Sequence, residues 1–202
     1  SDVCSSDLVY FGAGDMKFID KDGNGEINSA DRFIIGDPNP DIYGNVNLKF
    51  HFGQHWTLAT NFKYSVGNDI YNYQRSVLEG GKSFINQTTA VNRRWLSEGQ
   101  STDIPQTVYG DPMGNSRFSD RWIENGSYFK LKNVSLSYKL PIQNEYIQGI
   151  TVWAAANNLF TLTKYLGTDP ELSCGNSVLT QGIDAGYLSS GRSFHLGVKI
   201  NL

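Results

Sequence analysis

The residues best suited to chemistry in this chain lie in one short acidic loop near its start. Residues 20–31 read DKDGNGEINSAD, with oxygen-bearing side chains at positions one, three and five, glycine at six, isoleucine at eight and a carboxylate at twelve. This is the spacing of an EF-hand loop, which gives a hard cation such as Ca²⁺ about six to eight oxygen ligands. The sequence therefore predicts a calcium-type loop with five ligand residues: Asp20, Asp22, Asn24, Glu26 through its backbone carbonyl, and Asp31.

Two features separate this loop from a complete EF-hand. Its twelfth position is Asp31 rather than the longer Glu, and neither residues 14–18 nor residues 32–36 have the pattern of an amphipathic helix. The alternative is a turn whose polar side chains bond only to their own backbone. A bound cation would order a surface loop, because protein oxygens fill its positions and none is left for catalysis.

Other residue groups give no positive support for an enzyme. Residues 80–83 read GGKS like the end of a P-loop, but the first glycine of that motif would fall at Ser76. His51 and His55 flank Gly53 in a strand-turn segment, so they do not share a helix face for binding a metal. The sequence also lacks the Gly-x-Ser-x-Gly motif of α/β-hydrolases.

Charge and composition exclude further classes. The formal net charge is −3, so the basic field that dominates nucleic-acid binding is missing. Cys4 and Cys174 are too few for a disulfide framework. No apolar run approaches the roughly 18 residues of a membrane-spanning helix, whereas a barrel strand needs only about 9–11 residues with every second one apolar. The mean hydropathy of −0.38 permits such a barrel.

Alternation of apolar and polar residues predicts five β-strands, at residues 46–52, 56–64, 134–140, 150–157 and 192–202. Short turns are expected at residues 53–55 and 141–149. Residues 67–126 show no sustained alternation and are interpreted as a long loop region with at most a short helix near residues 88–96. Short turns at one end and a long loop at the other are typical of outer-membrane barrels.

The last predicted strand shows the alternation most clearly. Its apolar residues are Phe194, Leu196, Val198, Ile200 and Leu202, and its polar face carries His195, Gly197, Lys199 and Asn201. The apolar face would pack on a core in a water-soluble sheet and would face lipid in an outer-membrane barrel. The pattern alone permits both.

Residues 1–8, SDVCSSDL, have neither the basic region nor the apolar core of a secretory signal. We interpret them as a non-native scar and take residues 9–202 as the folding unit. A secreted or outer-membrane destination therefore requires a signal upstream of this sequence.

Many short motifs occur in order along residues 12–202. They are Gly14–Phe18, the acidic loop, Asp31-Arg32, Ile35–Asp41, Tyr43-Gly44, Gly67–Asn72, Arg94-Trp95, Ser101–Pro105, Asp120–Tyr128, Leu131–Tyr138, Asn158–Thr161, Tyr165 and Asp169–Glu171. Together they resemble the SusC/RagA family of TonB-dependent outer-membrane transporters. So many motifs in the same order are far more specific than any one of them.

The resemblance implies an all-β fold: the C-terminal strands of an antiparallel transmembrane β-barrel of roughly 22 strands, with long extracellular loops. It implies import of glycan or peptide oligomers with a SusD-like lipoprotein as lid and energy supplied by TonB. The plug and the TonB-contacting segment would lie upstream, so this chain would contribute an incomplete barrel wall and external loops.

The resemblance also gives some residues a predicted role. Aromatic residues in or beside the long loop could contact ligand or lid, or could anchor the barrel at the membrane interface; they are Tyr71, Tyr73, Trp95, Tyr109, Trp122 and Tyr128. Four residues of the last strand resemble the C-terminal signal for barrel insertion: His195, Gly197, Ile200 and Leu202. The family more often ends in an aromatic residue.

Two other function classes use the same residues. A secreted, calcium-stabilised β-sandwich, acting as an adhesin or carbohydrate-binding module, would bury the apolar faces between two sheets. A secreted hydrolase would need a pocket of convergent ionisable groups, which the sequence does not indicate. The leading interpretation is a transport protein of the bacterial outer membrane that is not an enzyme.

Overall fold

The computed structural model describes residues 12–142, 146–171, 177 and 180–201. The strands are β1 (Ile42–Phe52), β2 (Trp56–Val66), β3 (Asp69–Asn72), β4 (Ile123–Asn125), β5 (Tyr128–Leu140), β6 (Gly149–Thr163), β7 (Ile183–Asp184) and β8 (Ser193–Asn201). The helices are α1 (Tyr73–Glu79) and three 3-10 helices at Ser29–Asp31, Thr89–Arg93 and Asp120–Trp122. The scar interpretation of residues 1–8 and the prediction for Leu202 lie outside the described residues, as does part of the predicted turn at 141–149.

The described chain forms two compact units. The first comprises the residues up to Gly36 together with Tyr71–Ile123, and the second comprises Asp37–Ile70 together with the residues from Glu124 onwards. None of the described helices combines the length and apolarity needed to cross a membrane.

The second unit contains an antiparallel sheet in the order β1-β2-β5-β6-β8. These are the five strands that the sequence predicts, so the all-β antiparallel prediction is confirmed. Strands that are adjacent in this sheet occur in the order of the chain, with β3 and β4 between β2 and β5 and with β7 between β6 and β8. Within the described residues β1 and β8 each keep one unpaired edge. The sheet formed by the described residues is therefore open at both edges.

β5 begins at Tyr128, well before the predicted start at residue 134. In the pairing of β5 with β2, Phe62 lies opposite Leu131 and Asn61 lies opposite Asn133, so Lys132 is an extra residue of β5 and marks a β-bulge. A bulge adds one residue to a strand and shifts the phase of the alternation. The simple alternating pattern therefore identifies only the part of β5 that follows the bulge.

Opposite residues of antiparallel strands share one face of the sheet, and here the two faces differ sharply. The apolar face carries Val46, Leu48, Phe50 and Phe52 of β1, Trp56, Leu58 and Phe62 of β2, Val134, Leu136 and Tyr138 of β5, Val152 and Ala154 of β6, and Phe194, Leu196, Val198 and Ile200 of β8. Many of these side chains are exposed, with Phe50 at 46% and Leu196 at 80%. An uncovered apolar surface of this extent indicates contact with something other than water.

The polar face carries a row of amides that crosses the sheet. Asn47, Asn61, Asn133, Asn157 and Ser193 lie opposite one another on successive strands. Asn61 donates to Asn47, Asn133 Nδ2 donates to Asn157 Oδ1 at 2.7 Å, and Asn157 Nδ2 donates to Ser193 Oγ at 3.0 Å. Cross-strand bonds of this kind help to fix the register of neighbouring strands.

Three short strands form a second, smaller sheet in the order β4-β3-β7. The turn from β2 into β3 requires glycine, because Gly67 has φ +91° and a Cβ there would lie 2.1 Å from the carboxylate of Asp41. Ile70 of β3 is buried, and Gly126 packs against its side chain.

The first unit contains α1, which the sequence pattern does not predict. Asn72 caps its start by accepting from the Arg75 backbone N–H at 2.9 Å, and Arg75 pairs with Glu79 one turn later at 3.0 Å. Seven residues give too few turns for a clear helical period. The short helix expected near residues 88–96 is present as the 3-10 helix Thr89–Arg93.

Candidate functional site

The acidic loop brings three carboxylates together. One oxygen each from Asp20, Asp22 and Asp31 lies within 4.8 Å of the other two. Asp31 is buried at the end of the 3-10 helix Ser29–Asp31, whose first turn is capped by the side chain of Asn28. Gly25 makes the turn with φ +85°, in the left-handed region that glycine enters without strain.

Backbone N–H groups hold the carboxylates of the loop in place. Asp20 accepts from Gly23 at 2.6 Å and from Gly25 at 2.8 Å, while Asp31 accepts from Lys21 and Asn28, both at 2.8 Å. The Gly25 bond is the main cause that lowers the pKa of Asp20, and the Asn28 bond is the main cause for Asp31. Both groups are therefore anionic at neutral pH.

The remaining predicted ligands also bond within the loop. The Asn24 side-chain oxygen accepts from the Glu26 N–H at 2.7 Å, and Asp22 accepts from both nitrogens of Asn24. The loop thus combines both arrangements that the sequence permits: polar side chains that bond to their own backbone, and three acids converging on one point. Like charges at this separation repel one another, and a hard cation would neutralise them.

A cavity of about 670 Å³ lies beside the loop. Its lining includes Phe18, Ile27, Asp31, Phe33 and Arg117, with the Arg117 guanidinium 4.3 Å from the centre of the Phe18 ring. Its size is within the range of small-molecule sites, and its lining mixes apolar side chains with polar and charged ones. No sequence pattern indicates this cavity, because Arg117 is far from the acidic loop along the chain.

The aromatic residues predicted as a ligand or lid surface do not form one site. Tyr71 contacts Tyr73 and makes an edge contact with Phe118 at 4.8 Å, whereas Tyr109 stacks on Phe84 at 4.7 Å. Tyr109 is 69% exposed. It therefore offers the most accessible ring among the predicted residues.

Trp95 and Trp122 are held by packing instead. A Cβ at Gly14 would lie 2.4 Å from the Trp95 ring, so this ring covers the Gly14 backbone. Trp122 is 0% exposed, lies against the guanidinium groups of Arg75 and Arg121, and donates from Nε1 to the Arg117 carbonyl at 3.1 Å. Trp122 has no free ring face in this structure, which argues against the ligand role predicted for it.

A cluster of lysines and carboxylates lies on the polar face of the sheet. No sequence pattern predicts it. Lys130 is 2% exposed and its Nζ lies 2.7 Å from Asp169 Oδ2 and 3.0 Å from Glu171 Oε2. Lys63 donates to Glu171 Oε1 at 2.6 Å and Lys132 to Glu171 Oε2 at 2.9 Å. Burial alone would raise the pKa of Glu171, but the three lysines outweigh it and lower this pKa to about 2. The sequence feature that corresponds to this cluster is the Asp169-Pro170-Glu171 motif, which is one of the motifs of the family resemblance.

The residues predicted as an insertion signal lie on both faces of β8. Gly197 is opposite Trp153 of β6, and the His195 Nε2 lies 3.1 Å from Ser193 Oγ. Ile200 is exposed on the apolar face.

No protein-family model matches the chain. The TonB-dependent receptor P3 of Formosa agariphila is 34% identical over 195 residues, which cover 93% of this chain and 19% of that receptor. The TonB-dependent receptor SusC of Bacteroides thetaiotaomicron is 25% identical over 187 residues, covering 91% of this chain and 17% of SusC. The chain thus spans about a fifth of the length of these curated relatives.

Solved structures show the same similarity. The RagAB peptide importer in its closed-closed state matches 91% of this chain and 20% of the importer chain, with a TM-score of 0.71 and 28% identity. The RagAB peptide transporter matches 87% of this chain and 19% of its own, with a TM-score of 0.72 and 25% identity. All of these proteins are named as receptors, importers or transporters, and none as an enzyme.

Proposed function

We infer that this chain, which belongs to the SusC/RagA family of TonB-dependent receptors, supplies part of the wall and the external loops of an importer in the bacterial outer membrane. The observation that carries this inference is the apolar face of the five-stranded sheet. The relatives of this chain described above are named as receptors, importers or transporters, so we propose no enzymatic activity.

The apolar face has the dimensions of a lipid-facing band. From Trp56 to Tyr64 the strand β2 advances eight positions, about 27 Å at roughly 3.4 Å per residue. At a barrel tilt of about 40° this length spans a height of about 21 Å. Trp56 packs against Tyr138 at 4.6 Å near one end, and Phe62 stacks on Phe129 at 5.3 Å towards the other. Apolar bands of about 25 Å flanked by aromatic residues are typical of outer-membrane barrels.

The polar face supplies the surface that would face the lumen. The amide row formed by Asn47, Asn61, Asn133, Asn157 and Ser193 offers neutral donors and acceptors, which suit peptide bonds or sugar hydroxyls equally well. We therefore propose peptide or glycan oligomers as substrates. The RagAB structures are named for a peptide importer, which supports the peptide class.

We propose that the importer works with a SusD-like lipoprotein as lid and receives energy from TonB through parts of the receptor outside this chain. The similarity to SusC and to the RagAB assembly supports this proposal. Tyr109 and Phe84 form the most exposed aromatic pair of residues 67–126, the predicted long loop region, and we propose them as a contact for the lipoprotein.

Membrane extraction of the full-length receptor tests the wall proposal. The receptor is expected to stay in the outer-membrane fraction through washes with high salt and with carbonate, and to dissolve only in detergent. A periplasmic protein without a lipid anchor, which associates only with the membrane surface, serves as the control. Its complete release shows that the washing is complete. Release without detergent would favour the secreted β-sandwich and contradict the barrel wall.

We also propose that the acidic loop binds calcium. The convergence of Asp20, Asp22 and Asp31 supports this, since three anionic oxygens fit a hard cation, and Asn24 and the Glu26 carbonyl would complete the ligand set. The ion would order the loop and would take no part in chemistry. Calorimetric titration of the full-length receptor with Ca²⁺ tests the proposal, and the absence of heat at millimolar calcium would contradict it.

A further inference from the structure

The lysine cluster joins one short segment to two neighbouring strands. Lys63 of β2 lies directly opposite Lys130 of β5, and the β-bulge adds Lys132 beside them. All three ammonium groups donate to Glu171, and Lys130 also donates to Asp169. The segment that carries both acids follows β6, so its end is tied to the polar face of β2 and β5.

Burial makes this tie hard to break. Lys130 and Asp169 are 2% and 5% exposed. A buried charge is tolerated only when it is paired and hydrogen-bonded, so moving Asp169 away would leave Lys130 without its closest partner. The cluster therefore favours one position of the segment.

Hydrogen bonds to carboxylates fix the same segment at its beginning. The Tyr165 hydroxyl donates to Asp184 Oδ2 at 2.6 Å, and both residues are buried. The Leu166 N–H donates to Glu124 Oε2 at 2.9 Å, and the Glu171 N–H to Asp169 Oδ1 at 3.0 Å. Ties at both ends and within the segment restrict it far more than a surface loop is usually restricted.

We propose that Asp169 and Glu171 are positioning residues that hold residues 165–171 over the polar face of β2 and β5, where this segment forms a fixed part of the route taken by substrate. The proposal rests on the transport function proposed above, because the polar face lines a route only in a transporter. The segment would narrow this route and help to set the largest oligomer that passes.

Amide hydrogen exchange in the purified full-length receptor tests the fixed position. Glu171→Gln keeps the shape of the side chain and removes its charge, and Lys130→Met removes the central lysine. Either change is expected to raise the exchange rates of the Leu166 and Glu171 amides by about tenfold or more. Lys139→Gln, on the same strand and face but outside the cluster, should leave them unchanged. Equal rates in all four proteins would overturn the proposal.

Asp169→Asn covers the case in which Lys130→Met does not fold. This change keeps the shape of the side chain and removes the charge that lies 2.7 Å from Lys130 Nζ, so it should also raise the exchange rates of the two amides. Unchanged exchange in Asp169→Asn would contradict the ion pair as the cause.

Uptake of oligomers of graded length tests the role in the route. Glu171→Gln is expected to admit longer oligomers at an unchanged amount of receptor, whereas a purely structural role would lower uptake of all lengths in proportion to the amount. An unchanged length limit despite faster exchange would overturn the role of the segment in the route. Absence of uptake in the unaltered receptor would count against the proposed function, while the exchange data would still decide the position of the segment.

Discussion

The indole ring of Trp153 on β6 lies over Gly197, its opposite residue on β8. A Cβ at Gly197 would come within 2.6 Å of the ring carbons, closer than packed side chains approach. An aromatic side chain that covers a glycine on the neighbouring strand shields the exposed backbone there and helps to pin the register. Gly197 thus has a packing role in addition to its predicted place in an insertion signal.

Gly197→Val is therefore expected to destabilise the receptor by about 1–3 kcal/mol, because the Trp153 ring must move from its place. Gly191→Ala is the matched control, since a Cβ there meets no atom within 4 Å. Urea unfolding of the refolded receptor in detergent measures both changes. Equal midpoints for Gly197→Val and the unaltered receptor would contradict the close packing.

The contribution of Glu171 to stability should depend on pH in a defined window. Its pKa is about 2 in the folded protein and 4.5 is the ordinary value, so the folded state favours the anion. A lowered pKa contributes stability that is complete above pH 4.5 and is lost as pH falls towards 2. Unfolding midpoints of the receptor and of Glu171→Gln should differ at neutral pH and converge near pH 2. A difference that stays constant down to pH 2 would contradict the lysine contacts.

The amide row should be sensitive to loss of a member that bonds to both of its neighbours. Asn157→Leu removes the bonds to Asn133 and Ser193 and is expected to cost about 1–3 kcal/mol, because the partners lose their hydrogen bonds. Asn45→Leu on β1, which lies on the same polar face outside the row, should cost less than about 0.5 kcal/mol. Thermal unfolding separates the two variants, and equal costs would argue against a role of the row in stability.

The calcium proposal makes a specific prediction for the loop. Asp22→Asn removes one of the three converging charges and should weaken Ca²⁺ binding by about tenfold or more. Glu98→Gln, an exposed acid outside the loop, should leave the dissociation constant unchanged. Titration of both variants by calorimetry decides, and equal affinities would show that calcium binds elsewhere.

The sequence predicts those parts of the fold that depend on regular alternation. The apolar residues of β8, and those of β1 from Val46 onwards, alternate without interruption, so these strands and their faces can be read directly. Residues 42–45 at the start of β1 do not alternate and are not predicted. The alternation identifies only the later part of β5, because the bulge at Lys132 changes the phase of its pattern. α1 was missed because it is short and depends on the Asn72 cap and the Arg75–Glu79 pair.

The candidate sites also differ in how far the sequence predicts them. The acidic loop could be predicted because all its ligands lie within twelve consecutive residues. The lysine cluster could not, because Lys63, Lys130 and Glu171 come from separate parts of the chain and meet only through strand pairing. The burial of Trp122 between two arginines likewise depends on packing that no local pattern encodes.

A charged substitution should be costly on the apolar face of the sheet and tolerated on the polar face. Leu196→Arg is expected to cost about 2–4 kcal/mol or to block barrel assembly, because it places a cation against lipid. His195→Arg, the neighbouring residue on the polar face, should be tolerated. Yields of assembled receptor in the outer membrane measure the difference, and equal yields would contradict the assignment of the two faces.

Whether the apolar face meets lipid is tested most directly with a nitroxide spin label. The measured quantities are its collision rates with oxygen and with a water-soluble nickel complex. Labels are attached to cysteine at position 196 or at position 195 of the full-length receptor in lipid bilayers. We expect the label at 196 to collide mainly with oxygen, which concentrates in lipid, and the label at 195 to collide mainly with the nickel complex. Poor access of both reagents to position 196, as in a protein core, or preferential access of the nickel complex there, would contradict a lipid-facing wall.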